Sequence, residues 1–284
     1  MEKPMLVKFW GVHGSLPRPG PTTLKYGGNT ACVEVRCGNT LIVFDAGTGI
    51  RDLGEDLCER HRNSGGKHTR IDGHIFFSHL HWDHIQGFPF FAPAYMDGNE
   101  FHLYAGRELN HSFEKLMRDQ MAEPNFPVAL DKLSASITFH DLKSGDLVRL
   151  ADVNVRCQEL SHPGGSLGYR VESEGKSLVY ATDTELVEGL YKTVLDFAAN
   201  ADVLIYDSMF TPEQYSGAAD NCCRRAWGHS TWEGAVQVAN AAGVDHLILF
   251  HHGNQDSLVD EIQEKARERF PRTTAAYEGL EIEL

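Results

Sequence analysis

The hexapeptide His79-Leu80-His81-Trp82-Asp83-His84 constrains this chain more than any other stretch, because it sets three imidazoles and a carboxylate within six residues. It comes directly after residues 75–78, an apolar run with the length of a buried strand. At a strand end such side chains point into a cleft. Imidazole and carboxylate are the donors zinc prefers, and a catalytic ion needs positions left open for water. One six-residue loop cannot close two coordination shells, so further donors must come from elsewhere. Three polar residues lie just past apolar runs, where a scaffold presents functional groups. His162 follows the expected strand Val153–Leu160, Asp183 follows 177–181, and His251 follows His246–Phe250.

The rest of the chain alternates short β-branched or aromatic runs with helical stretches. Residues 6–10, 31–36, 40–44 and 74–77 read as strands, with Gly38-Asn39 as a hairpin turn and 51–62 as a helix. A Gly/Lys/His-containing loop separates that helix from the strand after it. In the second half, 146–150, 153–160, 167–172 and 177–181 read as a strand meander. Helices are expected at 188–199, 231–242 and 258–269, and further strands at 203–206, 246–250 and 275–277. Ser230-Thr231-Trp232-Glu233 matches a capping box that opens the helix ended by Gly243. No low-complexity linker divides the halves, so residues 1–284 are expected to form one α/β domain, a two-sheet sandwich with helices outside.

Charge narrows the partners. Lys plus Arg is 26 and Asp plus Glu is 40, a net charge of 26 − 40 = −14, which disfavours tRNA and other long polyanions. A small anionic substrate stays compatible, since two divalent cations reverse the local potential. No run approaches the roughly 18 apolar residues of a membrane span, and the opening MEKPMLVKFWGV lacks the apolar stretch of a signal peptide. A cytoplasmic protein without a membrane partner is expected. The six cysteines show no CxxC spacing and read as reduced thiols, with Cys222 and Cys223 in a partly exposed loop beside Arg224 and Arg225.

The order HxHxDH, lone His, lone Asp, lone His resembles the metallo-β-lactamase superfamily. That resemblance implies an αββα sandwich of two mixed sheets with helices on the outer faces. It implies two divalent ions, with zinc first and manganese or iron compatible. His79, His81 and His162 correspond to the donors of one ion, and Asp83, His84 and His251 to those of the other. Asp183 bridges both, and Asp45 in Phe44-Asp45-Ala46-Gly47 orients the motif loop. Within the superfamily, Tyr206-Asp207-Ser208-Met209-Phe210 and Gly228-His229-Ser230-Thr231 resemble segments of ribonuclease Z. There a histidine faces the scissile phosphate and an acidic residue supports it, roles that pass to His229 and Asp207. Asp83 is placed with them in catalysis as well as in metal binding. Only 21 positions separate His162 from Asp183, where ribonuclease Z carries a tRNA-gripping arm. The stretches Phe9–Pro17 and Tyr26–Thr30 resemble small-substrate bacterial relatives.

These readings point to a phosphodiesterase of small cyclic nucleotides or ribosyl cyclic phosphates, in which a metal-bridging hydroxide attacks in line. Such relatives are often dimers, so a homodimer is compatible. Alternatives keep the metals and change the bond, to a lactone, thioester or β-lactam. Others are an RNA nuclease without the arm, or a di-iron sensor, which typically has Glu where His81 stands. Phe126 and His252 are candidate substrate contacts. Gly27-Gly28 and Gly47-Thr48-Gly49 read as tight turns, not a phosphate cradle.

Overall fold

The computed structural model describes residues 4–63, 70–106 and 112–284. Part of the loop expected ahead of the metal motif, residues 64–69, lies outside the described residues. Apolar side chains in β1 (Met5–Gly11) alternate, with Met5, Val7 and Phe9 buried, as a half-buried strand requires. It pairs antiparallel with β2 (Cys32–Cys37), and β2 with β3 (Thr40–Phe44). Parallel pairing then continues through β4 (Asp72–Phe76), β5 (Glu100–Gly106) and β6 (Ser136–Leu142).

The second sheet repeats this plan. A meander of β7 (Leu147–Leu150), β8 (Val153–Leu160), β9 (Ser166–Ser173) and β10 (Lys176–Ala181) passes into a parallel half. That half comprises β11 (Val203–Asp207), β12 (His246–Phe250) and β13 (Thr273–Ala275). All five residues of β11 are buried, as expected of a strand covered on both faces. The chain end, β14 (Glu281–Glu283), returns to the first sheet beside β1, giving two mixed seven-stranded sheets.

Between the sheets, Phe44 stacks on Tyr180 at 4.9 Å and on Tyr169 at 5.5 Å, with Phe76, Tyr104 and Phe250 in the same inner core. On one outer face, α1 (Ile50–Asn63) and α3 (Phe113–Gln120) bury Leu53, Leu57, Phe113 and Met117. On the other, α4 (Glu188–Ala198), α6 (Trp232–Ala242) and α7 (Asp256–Arg269) contribute Val194, Ala235, Val238 and Ile262. Two short helices, α2 (Trp82–Ile85) and α5 (Pro212–Ser216), lie in loops. This is the expected αββα sandwich. No helix among the described residues is long and apolar enough to cross a membrane.

Several local expectations are corrected. The expected strand at 275–277 lies instead at Thr273–Ala275, and β14 had no sequence signal of its own. β5, β6 and α3 were not anticipated, because polar residues such as His102, Thr138 and His140 break their apolar runs. The cap of α6 is Thr231, whose hydroxyl accepts from the Gly234 amide. Ser230 instead donates to the Thr184 carbonyl at 2.6 Å. Cys32, Cys37, Cys58 and Cys157 are buried thiols, while Cys222 and Cys223 are exposed.

Polar residues on the inner face of β4–β6 make stability pH-dependent. His74 stacks on His102 at 5.1 Å, and His102 lies 3.1 Å from His140. Burial, reinforced by His102 and His140, lowers the His74 pKa to about 4. Between there and the unfolded value of about 6.5 the unfolded chain binds the extra proton, so stability is complete above that window and falls as pH drops through it. Urea midpoints measured from pH 7 to pH 4 are expected to decline across the window, and His74→Gln to flatten the decline. An unchanged slope in the variant refutes the link.

Candidate metal centre

Every anticipated metal donor arrives beyond the C-terminal end of a strand, and Asp45 and Asp207, anticipated as supporting residues, also lie at strand ends. Asp45 follows β3, the hexapeptide follows β4, His162 follows β8, Asp183 follows β10, Asp207 ends β11 and His251 follows β12. Asp45, Asp183 and His251 have φ of 59°, 51° and 61°, the left-handed region that non-glycine residues avoid at a cost of order 1–3 kcal/mol each. A single left-handed residue turns the chain sharply off the strand and brings its side chain back over the strand end. The surrounding packing holds these conformations in place.

Two donor groups result. His79, His81 and His162 form one, and Asp83, His84, Asp183 and His251 the other. His81 Nδ1 lies 2.8 Å from His79 Nε2 and 3.1 Å from His162 Nε2. His84 Nε2 and His251 Nε2 each lie 3.2 Å from Asp83 Oδ2. Asp183 faces both groups. Its Oδ1 is 3.3 Å from His84 Nε2 and 3.1 Å from His251 Nε2, and its Oδ2 is 3.6 Å from His79 Nε2 and 3.8 Å from His162 Nε2. A tetrahedral ion bonded at about 2.0–2.1 Å sets its donors about 3.3 Å apart, so the spacing and donor chemistry fit two cations with Asp183 shared. The buried His84 Nε2, which has no hydrogen-bond partner, fits the same reading.

The remaining ring nitrogens are oriented by other groups. His84 Nδ1 donates to Asp45 Oδ2 at 2.8 Å, aiming Nε2 at the cleft. Asp45 also accepts from the Ser78 amide at 2.7 Å and the Tyr180 hydroxyl at 2.7 Å. His162 Nδ1 donates to the Gly228 carbonyl at 2.9 Å. Gly228 has φ 84°, and a Cβ there would come within 2.2 Å of His162 Nδ1, so glycine is required.

Electrostatics follow from burying these groups together. Burial opposes charge on His84, but Asp83, Asp183 and Asp45 outweigh it and raise its pKa well above the ordinary value. Burial pushes His79 and His162 down, toward the neutral form a metal requires. Burial works against ionisation of Asp183 too, and His251, His84 and His79 overcome it, holding its pKa well below the carboxylate range.

Asp207 and His229 meet beside this cluster. His229 Nδ1 donates to Asp207 Oδ2 at 2.8 Å, and its ring stacks on His251 at 5.1 Å. Donor atoms of Asp183, Asp207, His229 and His251 lie within 4.8 Å of one another, but the direct hydrogen bond engages Asp207 and His229 with each other. Burial disfavours the imidazolium, yet Asp207 outweighs it and the His229 pKa is raised to about 9. Ser15, Leu80, His81, Trp82, Asp83, Asp183 and His229 line an open cleft of about 430 Å³.

Other expectations move. His252 is buried, its Nε2 donating to the Ala276 carbonyl at 2.8 Å, so it is a packing group and not a substrate contact. Phe126 packs edge-on against Phe90 at 5.5 Å on the helix-covered face, away from the cleft lining. Sequence reasoning missed Ser15, whose amide donates to Asp83 Oδ2 at 2.7 Å, and Glu185. Glu185 is buried and accepts from Tyr215 Oη at 2.5 Å and from the Ala226 and Gly228 amides, holding the loop that delivers His229. Its place two residues after Asp183 was the available signal.

The family model of the beta-lactamase superfamily domain matches residues 40–252. The chain belongs to this metallo-β-lactamase superfamily. It is a metallo-hydrolase with a dinuclear-type His/Asp centre. Ribonuclease Z of Haloarcula marismortui is 26% identical, over 98% of this chain and 96% of its own. The metallo-β-lactamase fold protein YhfI from Bacillus subtilis superposes over 100% of both chains with a TM-score of 0.71 at 16% identity. A diphosphatase of the PhnP family gives 0.66 at 18% identity, over 99% of this chain and 98% of its own. At those identities the two structures speak for the shared fold alone.

Asp45 generates a prediction that separates orientation from ligation. Asp45→Ala leaves all seven donors present but frees the His84 ring. Competition with a chelator is expected to show affinity for the more weakly held ion reduced about 10–100-fold. Wild-type affinity at both positions in the variant shows that Asp45 does not orient the site.

Proposed function

We propose that this protein is a dinuclear phosphodiesterase of small substrates, with cyclic nucleotides and ribosyl cyclic phosphates in its class. The observation that carries this reading is the buried Asp207–His229 pair standing at the edge of the two-cation donor set. Bound there, two divalent cations, zinc first by the donor chemistry and manganese or iron compatible, supply an activated water and positive charge for a phosphate oxygen.

The chain's own residues do the rest. Asp207 Oδ2 fixes the His229 ring through Nδ1, while Asp207 Oδ1 accepts from the Ser230 amide at 3.1 Å, so the carboxylate cannot swing away. The pair keeps His229 protonated and leaves Nε2 as the donor that meets a phosphate oxygen. An imidazolium is placed where negative charge grows as the phosphorus gains a fifth ligand. Asp83 and Asp183 would hold the cations beside it. Hydrolysis of a lactone, thioester or β-lactam has no comparable use for a supported imidazolium at this position. The similarity to a ribonuclease Z, by its name an enzyme of RNA, supports phosphoester chemistry.

The short span between His162 and Asp183 supports a small substrate. There β9 and β10 form a plain hairpin closed at Glu174-Gly175, with no extension to grip a folded RNA. A net charge of −14 also opposes a long polyanion.

The test is hydrolysis of bis(p-nitrophenyl) phosphate by metal-reconstituted protein, followed by 2′,3′- and 3′,5′-cyclic nucleotides. His229→Ala is expected to lower kcat about 10²–10³-fold with metal content unchanged, and Asp183→Ala to lose both metal and activity. Wild-type turnover in His229→Ala refutes the role of that residue. A wild-type protein that holds two ions, leaves every diester intact and opens a lactone or thioester refutes the phosphodiesterase reading.

A further inference from the structure

Trp82 sits between two donors, His81 and Asp83, in the only turn of α2. The turn sends Asp83, His84 and Ile85 inward, which obliges Trp82 to face out. It is 82% exposed and lines the catalytic cleft together with Ser15, Leu80 and His229. Among the described residues its ring has no aromatic, cationic or hydrogen-bonding partner. Trp227, on the loop that delivers His229, differs. It is 50% exposed, but its ring lies edge-on to Phe210 at 6.5 Å and under the Arg224 guanidinium at 5.7 Å. Trp227 is thus engaged in holding its loop, whereas the Trp82 indole is an unoccupied flat surface at the mouth of the site.

That placement has a chemical consequence. The cleft floor is made of imidazoles and carboxylates, suited to cations and the phosphate they bind. Its wall at Trp82 offers a π-face, suited to a planar ring that bears little charge. The volume of about 430 Å³ lies in the usual range of small-molecule sites, about 300–1,000 Å³. A phosphate on the floor and a planar group on the wall together describe a nucleotide.

We propose that Trp82 is a specificity residue whose indole stacks on the nucleobase of a nucleoside phosphodiester held at the metal centre. The proposal rests on the phosphodiesterase reading and narrows it from phosphodiesters in general to those carrying a base. It also moves the aromatic substrate contact from Phe126, which is packed elsewhere, to a residue inside the motif. Stacking of this kind is tolerant of base identity, because every base has a π-face.

The experiment uses metal-loaded protein and two diesters with one leaving group, thymidine 5′-(p-nitrophenyl phosphate) and methyl p-nitrophenyl phosphate. In Trp82→Ala the ratio of kcat/KM for the nucleoside diester to that for the methyl diester is expected to fall about tenfold or more, mainly through KM, and Trp82→Phe to keep most of it. A second readout is binding of thymidine 5′-monophosphate, which is expected to quench tryptophan fluorescence in wild type and not in Trp82→Phe. Hydrolysis of both diesters with an unchanged ratio in Trp82→Ala overturns the stacking role alone. Loaded wild-type protein that hydrolyses neither diester and leaves 2′,3′- and 3′,5′-cyclic nucleotides intact overturns the phosphodiesterase reading and the stacking role with it; loaded wild-type protein that cleaves the methyl diester or the cyclic nucleotides without preferring the nucleoside diester to the methyl diester overturns the stacking role alone.

Discussion

Asp45 is a fully buried carboxylate that accepts hydrogen bonds from both sheets. From the segment that follows β4 of the first sheet come the Ser78 amide and hydroxyl and the His84 ring; from β10 of the second sheet comes the Tyr180 hydroxyl. A carboxylate without such partners would be costly at this depth, whereas one with four donors is held in a single orientation. The same residue therefore closes the top of the inner core and sets the direction of a metal-facing nitrogen. Tyr180 also stacks on Phe44 through its ring, so the aromatic packing between the sheets and the geometry of the centre are mechanically continuous. A shift of one sheet on the other would be felt at His84 before it was felt at the surface.

This dependence explains the strain at the strand ends. Asp45, Asp183 and His251 all hold left-handed backbone conformations, and each is the first or second residue beyond its strand. A looser loop could present the same side chains without strain, but only by letting them wander, and donors must be fixed to within a fraction of an ångström to share an ion. Close packing reinforces this. A Cβ at Gly14 would come within 2.4 Å of His251 Nδ1, and one at Gly228 would strike His162. The rings are thus confined by backbone as well as by hydrogen bonds.

The donors were legible in the sequence because metal binding demands particular residue types at strand ends, and both features survive in a string of letters. The hexapeptide, His162, Asp183 and His251 needed only chemistry and apolar periodicity. A two-sheet sandwich with helices outside was legible in strongly apolar strands such as β11, and the αββα order of two mixed sheets came from the family resemblance. Strands β5 and β6 were not, because their inner faces carry His102, His140 and Thr138 where a core pattern would have aliphatics. Glu185 and Ser15 escaped because their roles depend on loops meeting across long sequence separations. Ser15 reaches Asp83 across 68 positions through a backbone amide, a group every residue possesses. The cap of α6 was misplaced by one residue because Ser230 and Thr231 are equally competent caps, and only the Thr184 carbonyl draws Ser230 away.

Four carboxylates, those of Asp45, Asp83, Asp183 and Asp207, are buried within one strand-end layer of a protein that is already strongly acidic. Hydrogen bonds alone offset two of them: Asp45 through its four donors, and Asp207 through His229 and the Ser230 and Met209 amides. Asp83 and Asp183 differ, since their partners are mainly the nitrogens of His84, His251, His79 and His162. Two of those imidazoles, His79 and His162, are pushed by burial toward the neutral form. Neutral imidazole answers a carboxylate poorly but coordinates a cation well. The arrangement is therefore electrostatically incomplete as protein alone and complete with divalent ions. On the proposed phosphodiesterase reading, the positive charge that would gather an anionic substrate into this acidic protein belongs to the loaded centre, not to the surface. A small substrate whose charge is confined to one phosphate can use that local field fully, while a long polyanion must also lie against the acidic exterior.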